Sequence, residues 1–408
     1  MDNLTTQSAG EARPWRRRSL LGAFAAAPVA TGGALSAGGA AASSRIPPAT
    51  RPGGSYDRYV TKLASEGRFS GTVLLSHRGR TVLSRSFGMA DRERGIRNGK
   101  NTVFTLSSAG KPFSPVAVLQ LVQRGKLALG DPIGKHLTGF RQDVAENVTV
   151  HHLLSGSSWL ATPDEDIQRV YRSREEVHEY CEWYARQAEP IGTPGLPDPR
   201  HAGAGTAVPA LLVEAASGQS YWDYVQENIF DRAGMSVSAF YTRPQWLTDR
   251  RLAHPYMRLA DGSEVDALHH LDQGSPDEWV QGRNPGRAFI DAPGDGGFAS
   301  APDLVRFARR LYDGTLLDRP WADVLTAARF PQGPSGFGSY GVPVHIVGGQ
   351  WEFSRAGANP GVGASWSIYP DTGWVGVVLG NTDGLPLQEM SLRMTEAVTG
   401  VLPDASGG

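Results

Sequence analysis

Short runs of apolar and β-branched residues, bounded by turn residues, lie near both ends of the chain, and such runs are typical of β-strands. Residues 71–87 contain two such runs around the turn His77-Arg78-Gly79-Arg80, and this predicts a β-hairpin. Towards the C-terminus, Pro370-Asp371-Thr372-Gly373 is a predicted turn between the last two strands. The C-terminal strands are predicted at 342–347, 351–354, 364–369 and 374–379.

Between these strands, apolar residues recur at the three- and four-residue spacing of helices. Helices are predicted at 115–124, 174–187, 207–216, 220–229, 303–311 and 387–398. We therefore predict an α+β fold, in which strands from both termini form one antiparallel sheet flanked by helices. A mainly helical and irregular region at 140–290 is inserted between the two sets of strands.

The first 42 residues have the layout of a cleavable export signal. Arg16-Arg17-Arg18 precedes a stretch, 19–44, that has no charged side chain, and Ala40-Ala41-Ala42 fits a cleavage site. Paired arginines followed by Ser-Leu-Leu are similar to twin-arginine signals, which predicts an extracytoplasmic mature protein. The alternative is a disordered basic tail. Gly and Pro keep the stretch too weakly apolar for a stable membrane anchor.

The rest of the chain divides into three predicted segments. A Pro/Gly-rich linker spans 43–55, and it contains Pro47-Pro48 and Gly53-Gly54. The main domain spans 56–400, and a short tail follows at 401–408.

Charge and cysteine content narrow the classes of function. The 408 residues include 40 Lys and Arg against 41 Asp and Glu, and a net charge of −1 does not attract nucleic acid. The lone Cys181 excludes an intramolecular disulfide, a Cys-rich zinc site and an iron–sulfur cluster. His151-His152 and His269-His270 are adjacent pairs, whose side chains would point to opposite faces of a strand. We therefore expect no metal, no cofactor and no nucleic-acid partner.

Candidate chemistry is concentrated in Ser108-Ala109-Gly110-Lys111, the one Ser-x-x-Lys sequence in the chain. At a helix start, residues i and i+3 lie on one face, so the lysine amine can reach the serine hydroxyl. A serine hydroxyl is a weak nucleophile until a base removes its proton, and a partly desolvated lysine can act as that base. The helix N-terminus also favours a developing negative charge.

Several short sequences around and beyond Ser108 follow the pattern of one family. They are Phe104-x-x-x-Ser108-x-x-Lys111, Leu127-x-Leu129-x-Asp131-Pro132, Gly296-Gly297-Phe298 and Asn359-Pro360-Gly361. Together they resemble the serine β-lactamase family of class C type, which also contains D,D-carboxypeptidases, D-aminopeptidases, esterases and acyltransferases. The resemblance covers residues 56–400 and implies a β-lactamase/transpeptidase-like version of the α+β fold.

One departure from the family pattern concerns a proton carrier. The family usually has Tyr-x-Asn upstream of the Ser-Gly that matches Ser217-Gly218, and here the sequence is His201-Ala202-Gly203. The resemblance gives that tyrosine a role in activating the serine and protonating the leaving group. His201 could carry the proton at neutral pH, or it could be a loop residue that fills the vacated space. Gly203 stands where the family has asparagine, so the contact that the asparagine side chain makes to substrate is lost.

A second departure is Arg355-Ala356-Gly357, where the family has Lys-Thr-Gly or His-x-Gly on a strand beside the site. The resemblance makes Arg355 and Gly357 substrate-binding residues. Arg355 could hold a substrate carboxylate with two hydrogen bonds, or it could be an ordinary exposed charge. The same strand implies an oxyanion hole formed by the backbone N–H groups of Ser108 and Ala358.

The third departure is Ser157-Ser158-Trp159, where the family commonly ends this sequence in Ser-Gly. Trp159 in place of glycine should reshape the pocket, so Trp159 and Ser157 are predicted to contact substrate. This substitution argues against an efficient β-lactamase.

We therefore predict a serine acyl-enzyme hydrolase or acyltransferase that acts on a small-molecule or peptide-like ester or amide. Ser108 is the predicted nucleophile, Lys111 its base and His201 a candidate proton carrier, while Arg355 favours a substrate that carries a carboxylate. The alternative is a catalytically inactive protein of the same fold that binds a ligand or cell-wall fragment. Covalent acylation of Ser108 distinguishes the two.

Overall fold

A computed structural model of the chain describes residues 46–196 and 204–403. Its strands are β1 (Gly71–His77), β2 (Arg80–Phe87), β3 (Met89–Asp91), β4 (Ile96–Arg97), β5 (Val103–Thr105), β6 (Leu160–Ala161), β7 (Glu189–Pro190), β8 (Tyr256–Arg258), β9 (Glu264–Asp266), β10 (Phe298–Ser300), β11 (Phe330–Pro331), β12 (Gly336–Gly338), β13 (Val344–Val347), β14 (Gln350–Asn359), β15 (Val362–Tyr369) and β16 (Trp374–Gly380). Its α-helices are α1 (Ser55–Ser65), α2 (Phe113–Gln123), α3 (Gln142–Asn147), α4 (Val150–Ser155), α5 (Arg174–Arg186), α6 (Ala204–Ser217), α7 (Tyr221–Val225), α8 (Arg243–Thr248), α9 (Ala301–Tyr312), α10 (Arg319–Thr326) and α11 (Leu387–Thr399).

The largest sheet joins the two ends of the chain. Its eight strands lie in the order β11-β12-β13-β14-β15-β16-β1-β2, and every neighbouring pair is antiparallel. At the joint between the ends, Gly71 of β1 lies opposite Gly380 of β16, and His77 lies opposite Trp374. The predicted α+β fold, with one sheet built from both termini, is confirmed.

Alternation along β1 divides the core between the two faces of this sheet. Val73 and Leu75 pack in a buried cluster with Val60 of α1 and Met390 of α11. Leu74, which points the other way, belongs to the larger core that contains residues of α2, α6 and α9. We call these the α1/α11 face and the α2/α9 face.

The predicted elements are present, with shifts that have local causes. The helix predicted at 220–229 is divided into α7 and a π-helical turn, Gln226–Asp231. The strand predicted to end at 354 continues to Asn359 because β15 pairs with β14 through Val362. Within the predicted linker, Pro48–Thr50 forms a 3₁₀ turn, and the Thr50 side chain is buried.

Three further observations concern membrane spans, the cysteine and the predicted export signal. No helix in the ranges 46–196 and 204–403 has the length and apolarity needed to cross a bilayer. Cys181 is a free thiol in α5. The predicted export signal at 1–42 lies outside the described residues, so it stays a prediction.

Candidate active site

Ser108 and Lys111 lie on a tight turn at the end of a short strand. β5 pairs with β10, and the Leu106 N–H donates to the Gly297 carbonyl, which fixes the chain as it leaves the strand. Ser107–Gly110 then forms a 3₁₀ helix, and the Lys111 N–H donates to the Ser108 carbonyl over 3.2 Å. Side chains at i and i+3 of a 3₁₀ helix are eclipsed, so Ser108 and Lys111 lie on the same side.

Ser107, directly before the predicted nucleophile, has a strained backbone. Its φ is 48°, in the left-handed region that a residue with a Cβ seldom occupies. Two hydrogen bonds hold it there: Ser107 Oγ donates to the Ala358 carbonyl over 3.0 Å and accepts from Asn359 Nδ2 over 3.0 Å. These contacts tie the turn to the end of β14.

Close backbone packing brings β14 against the same turn. A Cβ on Gly357 would lie 2.4 Å from both the Ala109 amide nitrogen and the Leu106 carbonyl oxygen, and 2.6 Å from the Ser108 nitrogen. No side chain fits in this space, which explains why a glycine occupies the position. Gly357 therefore sets the distance between the strand and the turn.

The backbone of Ala358 is directed at the turn as well. In an antiparallel strand, the N–H and C=O of one residue point to the same side. Because the Ala358 carbonyl accepts from Ser107 Oγ, the Ala358 N–H also points towards the turn. This orientation is the one that an oxyanion hole shared with the Ser108 N–H requires.

Lys111 is largely buried among charged groups. Its side chain is 12% exposed, and its Nζ lies 3.6 Å from Oδ2 of Asp295. Burial lowers the pKa of Lys111, the Asp295 carboxylate raises that pKa again, and the Arg355 guanidinium lowers it. The net effect is a lowered pKa, which increases the fraction of neutral amine available as a base near neutral pH.

Arg355 also contacts the turn. Its Nε donates to the Ser108 carbonyl over 3.1 Å, and burial lowers the pKa of the guanidinium. The half-buried side chain therefore positions the nucleophile's backbone while it lines the cleft beside Lys111.

Two spaces meet at this turn. The cleft on the Lys111 side has a volume of about 200 Å³, and Ser158, Pro343 and Arg355 contribute to its walls. The chamber on the Ser107 side has a volume of about 260 Å³ and an aromatic lining that includes Tyr171, Tyr180, Tyr184 and Trp246. Thr206 lines both spaces.

The sequence comparison agrees with this geometry. The Beta-lactamase family model matches residues 56–399. The chain belongs to the beta-lactamase family. The family contains serine hydrolases, which confirms the predicted enzyme class.

Known members resemble this beta-lactamase family protein over different lengths. It is 26% identical over 311 residues to the putative penicillin-binding protein PbpX of Bacillus subtilis, covering 74% of this chain and 68% of that protein. It is 41% identical over 109 residues to esterase EstB of Burkholderia gladioli, covering 26% of this chain and 28% of the esterase. A penicillin-binding protein structure from Bacillus halodurans has a TM-score of 0.67 at 24% identity, covering 79% of this chain and 94% of the other.

Two residues predicted to bind substrate, Ser157 and Trp159, are not among the described residues that line the cleft of this family member. Ser157 is buried, and its Oγ shares a hydrogen bond of 2.8 Å with Ser155 Oγ. The Trp159 indole N–H donates to the Leu196 carbonyl, and a Cβ on Gly192 would lie 2.3 Å from the Trp159 ring. Trp159 thus packs on the segment 192–196, while Ser158 between the two residues lines the cleft.

His201 and Gly203 lie outside the described residues, so the proposed proton carrier stays a prediction.

Two aspartates near the turn were not predicted. Asp295 faces Lys111, and the half-buried Asp291 accepts the Gly297 N–H over 2.7 Å. Burial raises the pKa of Asp291 to about 7. Neither has a periodic signal in the sequence, although both lie close to Gly296-Gly297, which belongs to the family pattern.

Proposed function

We propose that this protein is a serine acyl-enzyme hydrolase or acyltransferase that acts on a small ester or amide. The observation that carries the proposal is the eclipsed Ser108–Lys111 pair on a 3₁₀ turn, with burial lowering the pKa of the lysine. A neutral amine beside a serine hydroxyl is the arrangement that nucleophilic catalysis requires. The family relationship supports the general class, and the geometry supports these two residues as its centre.

In the proposed acylation step, neutral Lys111 Nζ removes the proton from Ser108 Oγ. The Oγ then bonds to the carbonyl carbon, and the carbonyl π electrons move onto oxygen. The N–H groups of Ser108 and Ala358 stabilise this oxyanion. When the tetrahedral intermediate collapses, the bond to the leaving alcohol or amine breaks, and the Lys111 ammonium returns the proton to it.

The acyl group is then released in a second step. A water molecule loses a proton to Lys111 and bonds to the carbonyl carbon of the acyl ester. The bond from that carbon to Ser108 Oγ then breaks to free the acid, and the Lys111 ammonium returns the proton to Oγ. An alcohol or amine acceptor in place of water gives acyl transfer by the same proton movements. We propose that Arg355 favours substrates with a carboxylate in the cleft, because a guanidinium binds that group with two parallel hydrogen bonds.

The direct test is intact mass spectrometry of the protein after exposure to p-nitrophenyl esters and to a penicillin. We expect an added acyl mass on the parent protein and none on Ser108→Ala. Ser114→Ala is the matched control, since Ser114 lines the same cleft, and it should still be acylated. Absence of an adduct from every donor would instead favour an inactive protein that binds a ligand in the cleft.

We also propose export by the twin-arginine route, on the basis of the sequence of residues 1–42. Expression of the full chain in a bacterium with this pathway should give an extracytoplasmic protein that begins near residue 43. Replacing Arg17 and Arg18, the pair directly before Ser19-Leu20-Leu21, by lysine should retain the uncleaved chain in the cytoplasm. Unchanged export of that variant would exclude the twin-arginine route.

A further inference from the structure

A second cavity lies at the other end of β14, where the sheet meets the ends of α9 and α10. Its volume is about 510 Å³, within the ordinary range for small-molecule sites. Trp351 and Phe353 of β14 line it, whereas Arg355 and Gly357, two and four residues beyond Phe353, contact the Ser108 turn. This cavity is therefore separate from the candidate active site.

The apolar part of the cavity is aromatic. Tyr312 and Phe353 stack with ring centroids 6.0 Å apart, and Trp351 stands at the surface with 38% of its area exposed. A half-exposed tryptophan beside two stacked rings offers a flat ring a place to pack.

The charged part of the cavity is dominated by arginines. Arg319 is paired with Asp323 at 2.8 Å, and the Asp371 carboxylate accepts the backbone N–H of Trp351. Within residues 46–196 and 204–403, the guanidinium groups of Arg78 and Arg309 have no acidic partner. Arg78 and Arg309 thus face the aromatic cavity with positive charges that Asp323 does not offset, while Asp371 in the same lining keeps its own negative charge.

Arg78 has an unfavourable backbone conformation. The turn between β1 and β2 has two residues, with φ of 50° at Arg78 and 78° at Gly79, and the Arg78 N–H donates to the Gly373 carbonyl over 2.7 Å. Such turns favour Asn, Asp or Gly at both positions, so Arg78 departs from the local preference. Departures of this kind are expected where a side chain has a function.

Two glycines leave room for the arginine side chains. A Cβ on Gly79 would lie 2.5 Å from a terminal nitrogen of Arg309, and a Cβ on Gly373 would lie 2.9 Å from Cγ of Arg78. The guanidinium of Arg309 therefore lies against the turn backbone, next to Arg78. The hairpin tip and the last turn of α9 thus place two arginines along one edge of the cavity, beside Asp371 of the β15–β16 turn.

We propose that this cavity binds a small molecule that has a flat ring and an anionic group, either a carboxylate or a phosphate. The ring packs on Trp351 and Phe353, and the anion lies between Arg78 and Arg309. Guanidinium groups bind both anions through charge-assisted hydrogen bonds. This site is distinct from the acyl-enzyme chemistry proposed for Ser108.

The test uses full-length protein carrying Ser108→Ala, so that acylation does not contribute to the signal. The probes are 2-naphthoate, 2-naphthyl phosphate and the neutral 2-naphthamide, titrated by calorimetry. The Trp351 indole N–H resonance, assigned with Trp351→Phe, reports on the location of binding. We expect saturable binding of at least one anionic probe, with a shift of this resonance and binding of the neutral amide at least tenfold weaker. The tighter anion identifies the preferred group.

Arg78→Asn and Arg309→Gln should each weaken binding of the anionic probe about tenfold. Because asparagine suits a turn with positive φ, Arg78→Asn should fold at least as well as the parent, and a thermal melt checks this. Arg80→Gln, an exposed arginine two residues away that does not line the cavity, is the control and should bind normally. No saturable binding, equal binding of the neutral amide, or full affinity in both variants would overturn the proposal.

Discussion

The two faces of the large sheet differ in what is added to their apolar packing. On the α1/α11 face, apolar side chains such as Leu75 and Met390 fill the space against two helices. The α2/α9 face has a larger apolar core, and it also carries the Ser108 turn, which is fixed by a strained Ser107, a close approach of Gly357 and side-chain bonds to backbone carbonyls. Packed volume maintains both faces, whereas the turn depends on the positions of individual atoms.

Because of this difference, a substitution can change the stability of the protein without changing its activity. A cluster of apolar side chains tolerates small shifts, because its contacts are numerous and non-directional. An oxyanion hole or a base within reach of a hydroxyl loses its effect when one group moves by about 1 Å. Substitutions on the two faces should therefore give different profiles of folding and acylation.

The largest effect is expected for Gly357→Val on the α2/α9 face. Its side chain would overlap backbone atoms of Leu106, Ser108 and Ala109, which separates the Ala358 N–H from the nucleophile. We expect the acylation rate to fall roughly 10³-fold, measured with a p-nitrophenyl ester. Gly130→Ala is the control, because a Cβ there meets nothing within 4 Å. A rate within threefold of the parent would contradict the packing role of Gly357.

Leu75→Ala tests the opposite face. Leu75 is fully buried, so its truncation should lower the free energy of unfolding by about 3 kcal/mol, measured by urea denaturation. The acylation rate per folded molecule should not change, since the Ser108 turn lies on the other side of the sheet. Thr81→Ala, at an exposed position of β2, should alter stability by no more than about 0.5 kcal/mol. A large loss of rate in Leu75→Ala would show that the faces are coupled.

Asp291→Asn tests a carboxyl group with a raised pKa on the active-site side. Burial raises the pKa of Asp291 from 3.8 to about 7, so the folded state holds a proton that the unfolded state releases between those pH values. The contribution of Asp291 to stability is therefore present below pH 3.8 and is lost as the pH rises through 7. Relative to the parent, Asp291→Asn should gain roughly 2 kcal/mol between pH 5 and pH 7. A constant difference across that range would contradict the buried, protonated carboxyl group.

The smallest effect is expected for Asp295→Asn. The Asp295 carboxylate raises the pKa of Lys111, so its removal should move the midpoint of the pH–acylation profile to lower pH. The measurement is the acylation rate across the pH range, with stability measured in parallel. A midpoint that stays in place or moves to higher pH would show that Lys111 does not act as the base.

On the α1/α11 face, sequence reasoning predicted β1 and α11 but not α1. The apolar run around Leu75 and the helical spacing in α11 predicted those two elements, because burial leaves a trace in the sequence. Ser108 and Lys111 were found because they are three residues apart. The positive φ of Ser107 and the carboxylate of Asp295 are consequences of chain segments that meet only in the folded protein, so no local pattern could indicate them.

Residue roles within the cleft were also predicted unevenly. The pattern Arg355-Ala356-Gly357 predicted a strand beside the site with Arg355 as a substrate-binding residue, and the contact that the structure describes is from Arg355 to the Ser108 carbonyl. Ser157 and Trp159 were selected by their place in a motif, whereas the local chain directs Ser157 to Ser155 and Trp159 to Leu196. A motif identifies the segment beside a site, and the neighbouring segments decide which of its side chains reach the substrate.

The pairing of β1 with β16 has a consequence for the order in which the protein is made. Gly71 pairs with Gly380, which is synthesised more than 300 residues later. The β1 edge of the first hairpin therefore stays unpaired during most of synthesis on the ribosome. An unpaired strand edge can bind other chains, and contacts between distant segments form slowly. The large sheet can close only after residues 374–380 have emerged, so until then the edge of β1 is open to pairing with other segments.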